Sequence, residues 1–202
     1  MVLLLLVPSR ATAPKFEPSF EHVTYGSALK LTHGPTQYKL HSEDVRYGTG
    51  SGQRSVTGLD KRDHPGSLWL VQGGDATAAS TPARGSIVAC GATIRLQHVA
   101  SAHYLHSHQQ HRSPISQRQE VSAFEGTDDG DHWVVECAHG IQHWTREEPI
   151  SLKHATTHQY LAADSQFKFN RPITGHLEIA AVGAKSDSCQ WVAQEGFYVQ
   201  AN

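Results

Sequence analysis

Three stretches of the chain repeat one pattern, and this limits the possible folds more than any other feature. The first runs Gly26-Ser27-Ala28-Leu29-Lys30-Leu31-Thr32-His33, then Tyr38-Lys39-Leu40-His41-Ser42. The second runs Gly91-Ala92-Thr93-Ile94-Arg95-Leu96-Gln97-His98, then Tyr104-Leu105-His106-Ser107. The third runs Glu148-Pro149-Ile150-Ser151-Leu152-Lys153-His154, then Tyr160-Leu161-Ala162-Ala163. Apolar and polar residues alternate in each, which predicts a half-buried strand, a turn and a second strand. Later features keep step. Ser55-Val56-Thr57-Gly58, Glu120-Val121-Ser122-Ala123 and Glu178-Ile179-Ala180-Ala181 occupy matching places, and so do Trp69, Trp133 and Trp191. Equivalent positions lie about 65 and then about 56 to 58 residues apart.

Each unit therefore offers about four short strands, and one unit alone cannot bury its Leu, Val and Trp face. Three such units around a pseudo-threefold axis give an all-β β-trefoil, a barrel capped by hairpins, which also removes open sheet edges. A propeller has four-stranded blades too, but three blades fall below its usual minimum of about four. The expected organisation is a leader over residues 1–19 and repeats over 20–75, 83–138 and 139–194, all in one domain. The repeated tryptophans read as core. Trp144 reads as outside the repeat. With Gln142 it forms a Gln-x-Trp string like that of ricin-type lectins, but one copy out of register carries no lectin role.

Val2 to Val7 form a short apolar run, and Ala11-Thr12-Ala13 supply small residues for cleavage, so the N-terminus reads as an export signal. No other stretch approaches the ~18 apolar residues of a membrane span, so no membrane partner is expected. The C-terminus, Glu195 to Asn202, is not a KDEL-type address. A net charge of −2 with no basic cluster argues against nucleic acid, which demands Lys and Arg against its phosphates.

Three cysteines allow one disulfide and one leftover thiol. Cys90 and Cys137 would link the opening of repeat two to the strand that closes it, leaving Cys189 as a buried small residue or the free thiol. No cysteine pair has zinc-site or CxxC spacing. The histidine-rich stretch His103, His106, His108 and His111 lacks a visible set of converging ligands, so no metal and no cofactor is expected. The acidic run Asp128-Asp129-Gly130-Asp131 lacks the downstream Glu of a calcium loop and reads as a solvated turn. No nucleophile elbow, HExxH, phosphate loop or dinucleotide fingerprint occurs, which argues against an enzyme.

The long string Leu40-His41-Ser42-Glu43-Asp44-Val45-Arg46-Tyr47-Gly48-Thr49-Gly50-Ser51-Gly52-Gln53-Arg54-Ser55-Val56-Thr57-Gly58 resembles a MIR repeat. Leu105-His106-Ser107-His108 and Gln119-Glu120-Val121-Ser122-Ala123-Phe124 do so too. With Arg171-Pro172-Ile173-Thr174-Gly175, they resemble the stromal cell-derived factor 2 family over nearly the whole chain after about residue 20. The resemblance implies three MIR modules in one β-trefoil of the endoplasmic reticulum lumen. It also implies action with a J-domain co-chaperone and the lumenal Hsp70 in folding, quality control and the unfolded-protein response, on unfolded or O-mannosylated clients. MIR modules occur in protein O-mannosyltransferases as well, but those span membranes. Motif and polarity mark His41, Ser42, Asp44, Arg46, Tyr47, His106, Ser107 and His108 as candidates for binding a partner or a mannose-type glycan. Hydrogen bonding within the barrel is the alternative for the same residues. Ala162-Ala163 replace the His-Ser pair in repeat three, so a ligand role of that pair should fail there.

Overall fold

A computed structural model describes residues 15–74 and 81–202. The apolar run and small residues read as an export signal lie outside these residues, apart from the end of the 1–19 leader. That end is folded: Pro18–Phe20 forms a 3-10 turn, and Ala201 donates its N–H to the Ser19 carbonyl.

Twelve strands follow in chain order: β1 (Ala28–His33), β2 (Lys39–Arg46), β3 (Arg54–Leu59), β4 (Trp69–Gly73), β5 (Thr93–His98), β6 (Tyr104–Arg112), β7 (Gln119–Phe124), β8 (Trp133–Glu136), β9 (Pro149–His154), β10 (Tyr160–Lys168), β11 (Leu177–Val182) and β12 (Trp191–Phe197). Each expected repeat holds four of them, although β12 continues to Phe197, past the boundary expected at residue 194.

β1 pairs β4, β4 pairs β5, β5 pairs β8, β8 pairs β9, β9 pairs β12, and β12 returns to β1, which closes a barrel. The remaining strands form the hairpins β2–β3, β6–β7 and β10–β11. These hairpins cap the barrel by pairing β3, β7 and β11 with one another. This is the β-trefoil that the repeat predicted, and closure leaves the barrel without an open edge.

Alternation sets the interior. Leu29 and Leu31, Ile94 and Leu96, and Ile150 and Leu152 point inward from β1, β5 and β9. Trp69, Trp133 and Trp191 are fully buried, and their indoles donate to the carbonyls of Leu40, Leu105 and Leu161, each at 2.9 Å. Each of these three buried N–H groups thus finds an acceptor, as buried indoles usually do.

One sequence reading is corrected. Trp144 belongs to the repeat, as the counterpart of Val23 and Val88. Val23 donates to the Trp144 carbonyl, Trp144 to that of Val88 and Val88 to that of Val23, at 2.8, 2.9 and 2.9 Å. These three buried residues close a backbone ring around the pseudo-threefold axis. The equivalence was hidden because the side chains differ while the backbone role is the same.

Candidate functional site

The candidate residues lie on β2 and β6, with Tyr47 just beyond the end of β2, and burial divides them into two groups. His41, Ser42, His106 and Ser107 are buried. His41 Nδ1 lies 3.1 Å from Ser67 Oγ, and His106 Nδ1 lies 2.8 Å from Asp131 Oδ1. The Ser42 and Ser107 hydroxyls donate to the carbonyls of Ser55 and Glu120. Tyr47 is buried under the hairpin cap, where its hydroxyl reaches the carbonyls of Val56 and Val121 at 3.0 and 2.9 Å. Burial and the nearby Glu120 carboxylate push its pKa up. These side chains are therefore engaged within the barrel, with Nε2 of His41 and of His106 left without a hydrogen-bond partner.

The His41 and His106 contacts share a local design. A 3-10 turn before the last strand of each repeat, Pro65–Ser67 and Asp129–Asp131, lies directly over the imidazole. Gly66 and Gly130 permit this, because a Cβ there would stand 2.6 and 2.5 Å from the histidine Cε1. Asp131, read as part of a solvated turn, is instead fully buried, because it completes a capping box with Asp128 as well as holding His106.

Asp44, Arg46 and His108 remain accessible, and all three follow the point where the β2–β3 or β6–β7 register shifts, after Ser42 and after Ser107. Such irregularities turn side chains out of the alternation. Asp44 pairs with Arg54 at 3.1 Å, and His108 Nε2 lies 3.4 Å from Asp128 Oδ2. A shallow cleft between repeats one and two joins Glu43, Asp44, Arg54, His64, His98 and His103. Its carboxylates, guanidinium and imidazoles suit a polar partner chain or sugar hydroxyls. His64 has no repeat signature, and His103 stood out only as part of a histidine-rich stretch, so neither was expected at a binding surface. The cleft exists only because the fold sets the turn of repeat one against β5 and the loop that follows it.

Repeat three departs at this place. Ala162 replaces the histidine, Ser188 the glycine and Cys189 the Ser67 or Asp131 partner. Cys189 is a buried free thiol, whereas Cys90 and Cys137 form the expected disulfide. No helix among the described residues is long and apolar enough to cross a membrane.

Four strands per repeat, closed into a capped barrel, define a β-trefoil of repeated modules. A MIR domain match spans residues 41–131. Human stromal cell-derived factor 2-like protein 1 is 39% identical, with the alignment covering 99% of this chain and 87% of that protein. The chain therefore belongs to the stromal cell-derived factor 2 family. The crystal structure of the SDF2-like protein from Arabidopsis thaliana is 40% identical with a TM-score of 0.85, covering 90% of this chain and 99% of that one. The Saccharomyces cerevisiae protein O-mannosyltransferase Pmt1-Pmt2 complex bound to the sugar donor is 25% identical with a TM-score of 0.76. That match covers 92% of this chain and 27% of the transferase chain. Family membership and the disulfide together support a protein of the secretory pathway.

Proposed function

We propose that the chain is a non-catalytic subunit of a chaperone complex in the endoplasmic reticulum lumen. It works with a J-domain co-chaperone and the lumenal Hsp70 on unfolded or O-mannosylated clients. Membership in the family over nearly the full chain carries this reading. The disulfide fits an oxidising lumen. The cleft at Glu43, Asp44 and Arg54, with Arg46 close by in sequence, offers charged groups on a rigid barrel, which suits recognition of another chain.

A pull-down from a lumenal extract tests it. Wild-type protein is expected to recover a J-domain protein together with the lumenal Hsp70. Charge reversal at Asp44→Lys and Arg46→Glu is expected to reduce that recovery without changing thermal stability. Absence of both chaperones from the wild-type eluate would remove the proposal's support.

A second reading is recognition of a mannose-type glycan, favoured by the similarity to the O-mannosyltransferase. The burial of His106 and its bond to Asp131 make His106→Ala a test of folding, not of sugar binding. His103→Ala in the cleft is the informative variant on a glycan array, where loss of a saturable mannoside signal would support this reading.

A further inference from the structure

His176 arrives from the segment leading into β11, so repeat three places an imidazole beside His41 and Glu43 of β2 in repeat one. We propose that His41, Glu43 and His176 form a binding site for a divalent transition-metal ion of the zinc class. One donor atom from each lies within 4.8 Å of the other two.

Several features fit a ligand set. His41 Nε2 is buried without a hydrogen-bond partner, and it faces Glu43 Oε2 at 3.8 Å. A buried nitrogen left in this way costs stability unless something binds it. The opposite nitrogen of each imidazole is held by a hydroxyl. Ser67 Oγ lies 3.1 Å from His41 Nδ1, and Thr57 Oγ1 lies 2.9 Å from His176 Nδ1. Hydrogen bonds of this kind fix ring orientation and leave Nε2 as the donor to a metal. Two imidazoles and one carboxylate are the donors zinc takes in sites that keep one position open. Tetrahedral bonds of about 2.0–2.1 Å set donors roughly 3.3 Å apart, so the His41–Glu43 pair needs only a small closing motion.

His64 stands edge-on to His41 at 4.7 Å between ring centroids, but it does not complete the set. Its Nδ1 accepts from the Gly66 N–H, which places the ring proton on Nε2. The fourth position is left to water or a ligand group. The cluster of His106, His108 and Asp128 looks similar. There, however, Asp131 already holds His106 Nδ1, and Asp128 approaches that same nitrogen at 3.6 Å. The site at His41 joins repeats one and three, which is why ligand spacing along the chain gave no sign of it. It does not depend on the chaperone reading.

Titration of chelator-treated, intact protein with zinc chloride by calorimetry tests the proposal. The wild type is expected to bind one ion. Affinity should fall at least tenfold in His176→Ala and in Glu43→Gln, and about 10- to 100-fold in Thr57→Val. His108→Ala should bind as the wild type does. Glu43 and His176 are only partly buried, so thermal unfolding of the metal-free variants can confirm that they fold. Zinc should then raise the melting temperature of the wild type and not of these variants. Three results would each overturn the site: no zinc uptake by the wild type, undiminished binding in His176→Ala and Glu43→Gln, or binding lost in His108→Ala.

Discussion

His33, His98 and His154 end β1, β5 and β9, and each ties its own repeat to the preceding one around the barrel. Their Nε2 atoms donate to the carbonyls of Ser188, Gly66 and Gly130 at 2.9, 3.0 and 3.0 Å. A carbonyl only accepts, so the proton sits on Nε2, and Nδ1 is left to accept from Thr36, Ser101 and Thr157. Each ring also packs on a neighbouring tryptophan, with centroids 5.0 to 5.1 Å apart. Burial lowers all three pKa values from 6.5, against the opposite pull of the carbonyls. The unfolded chain therefore takes up protons first as pH falls below about 6.5. The stability these residues supply is complete above that pH and is lost progressively below it, toward their folded-state values. Urea midpoints at pH 5, 6, 7 and 8 should fall with acidity in the wild type and fall less steeply in His98→Gln; equal slopes would refute the assignment. The histidines at strand ends were legible as a repeating feature. Their partners were not, because Ser188, Gly66 and Gly130 sit in a neighbouring repeat and no local spacing marks that contact. The same holds for His41 and His106, whose side of the strand was open until the register of β2 and β6 was known.

Three tight turns lead into β1, β5 and β9, and each requires a left-handed residue. Gly26, Gly91 and Glu147 fill these places with φ of 87°, 86° and 63°. Glycine adopts this conformation without penalty, while a side chain costs about 1 kcal/mol or more. Glu147 also pairs with Lys15, but an exposed pair contributes little. Glu147→Gly is therefore expected to stabilise the protein by about 0.5–1 kcal/mol. Gly91→Ala is expected to cost a similar amount, because nothing within 4 Å would meet the new Cβ and backbone strain acts alone. Denaturant unfolding of the two variants checks both signs, and a destabilised Glu147→Gly would mean that the Lys15 pair outweighs the strain. The strands themselves were legible from alternation, and the hairpins from their fixed spacing. The bulges after Ser42, Ser107 and Ala163 were not, since the two or three extra residues in one strand leave no compositional mark.

At the scale of the whole molecule, threefold likeness in the backbone coexists with three different ways of fastening the rim. Repeat two uses the bond between Cys90 and Cys137, 47 residues apart, which extends the β5–β8 ladder. Repeat three has Arg146 at the place of Cys90. Its guanidinium lies between the rings of Phe16 and Tyr198 at 3.8 and 3.7 Å and donates to the Phe20 carbonyl. Phe16 and Tyr198 are thereby tied together at the barrel rim, and burial pushes the Tyr198 pKa up to about 12. Repeat one has Tyr25 there, buried in the core. Because β5 and β8 are hydrogen-bonded without the disulfide, its main effect falls on the unfolded chain, where it closes a loop. In the chain-entropy picture that is worth at most about 4 kcal/mol. The double variant Cys90→Ser, Cys137→Ser should keep the native circular dichroism spectrum while its unfolding free energy drops by up to that amount. Cys189, buried against the Ala184 carbonyl and the Ser188 hydroxyl, should stay unreactive toward a thiol reagent until the protein unfolds. If the double variant instead loses its native spectrum, the disulfide holds the folded barrel together and the β5–β8 ladder is not sufficient alone. If stability is unchanged, the unfolded chain of repeat two is already as compact as the disulfide would make it.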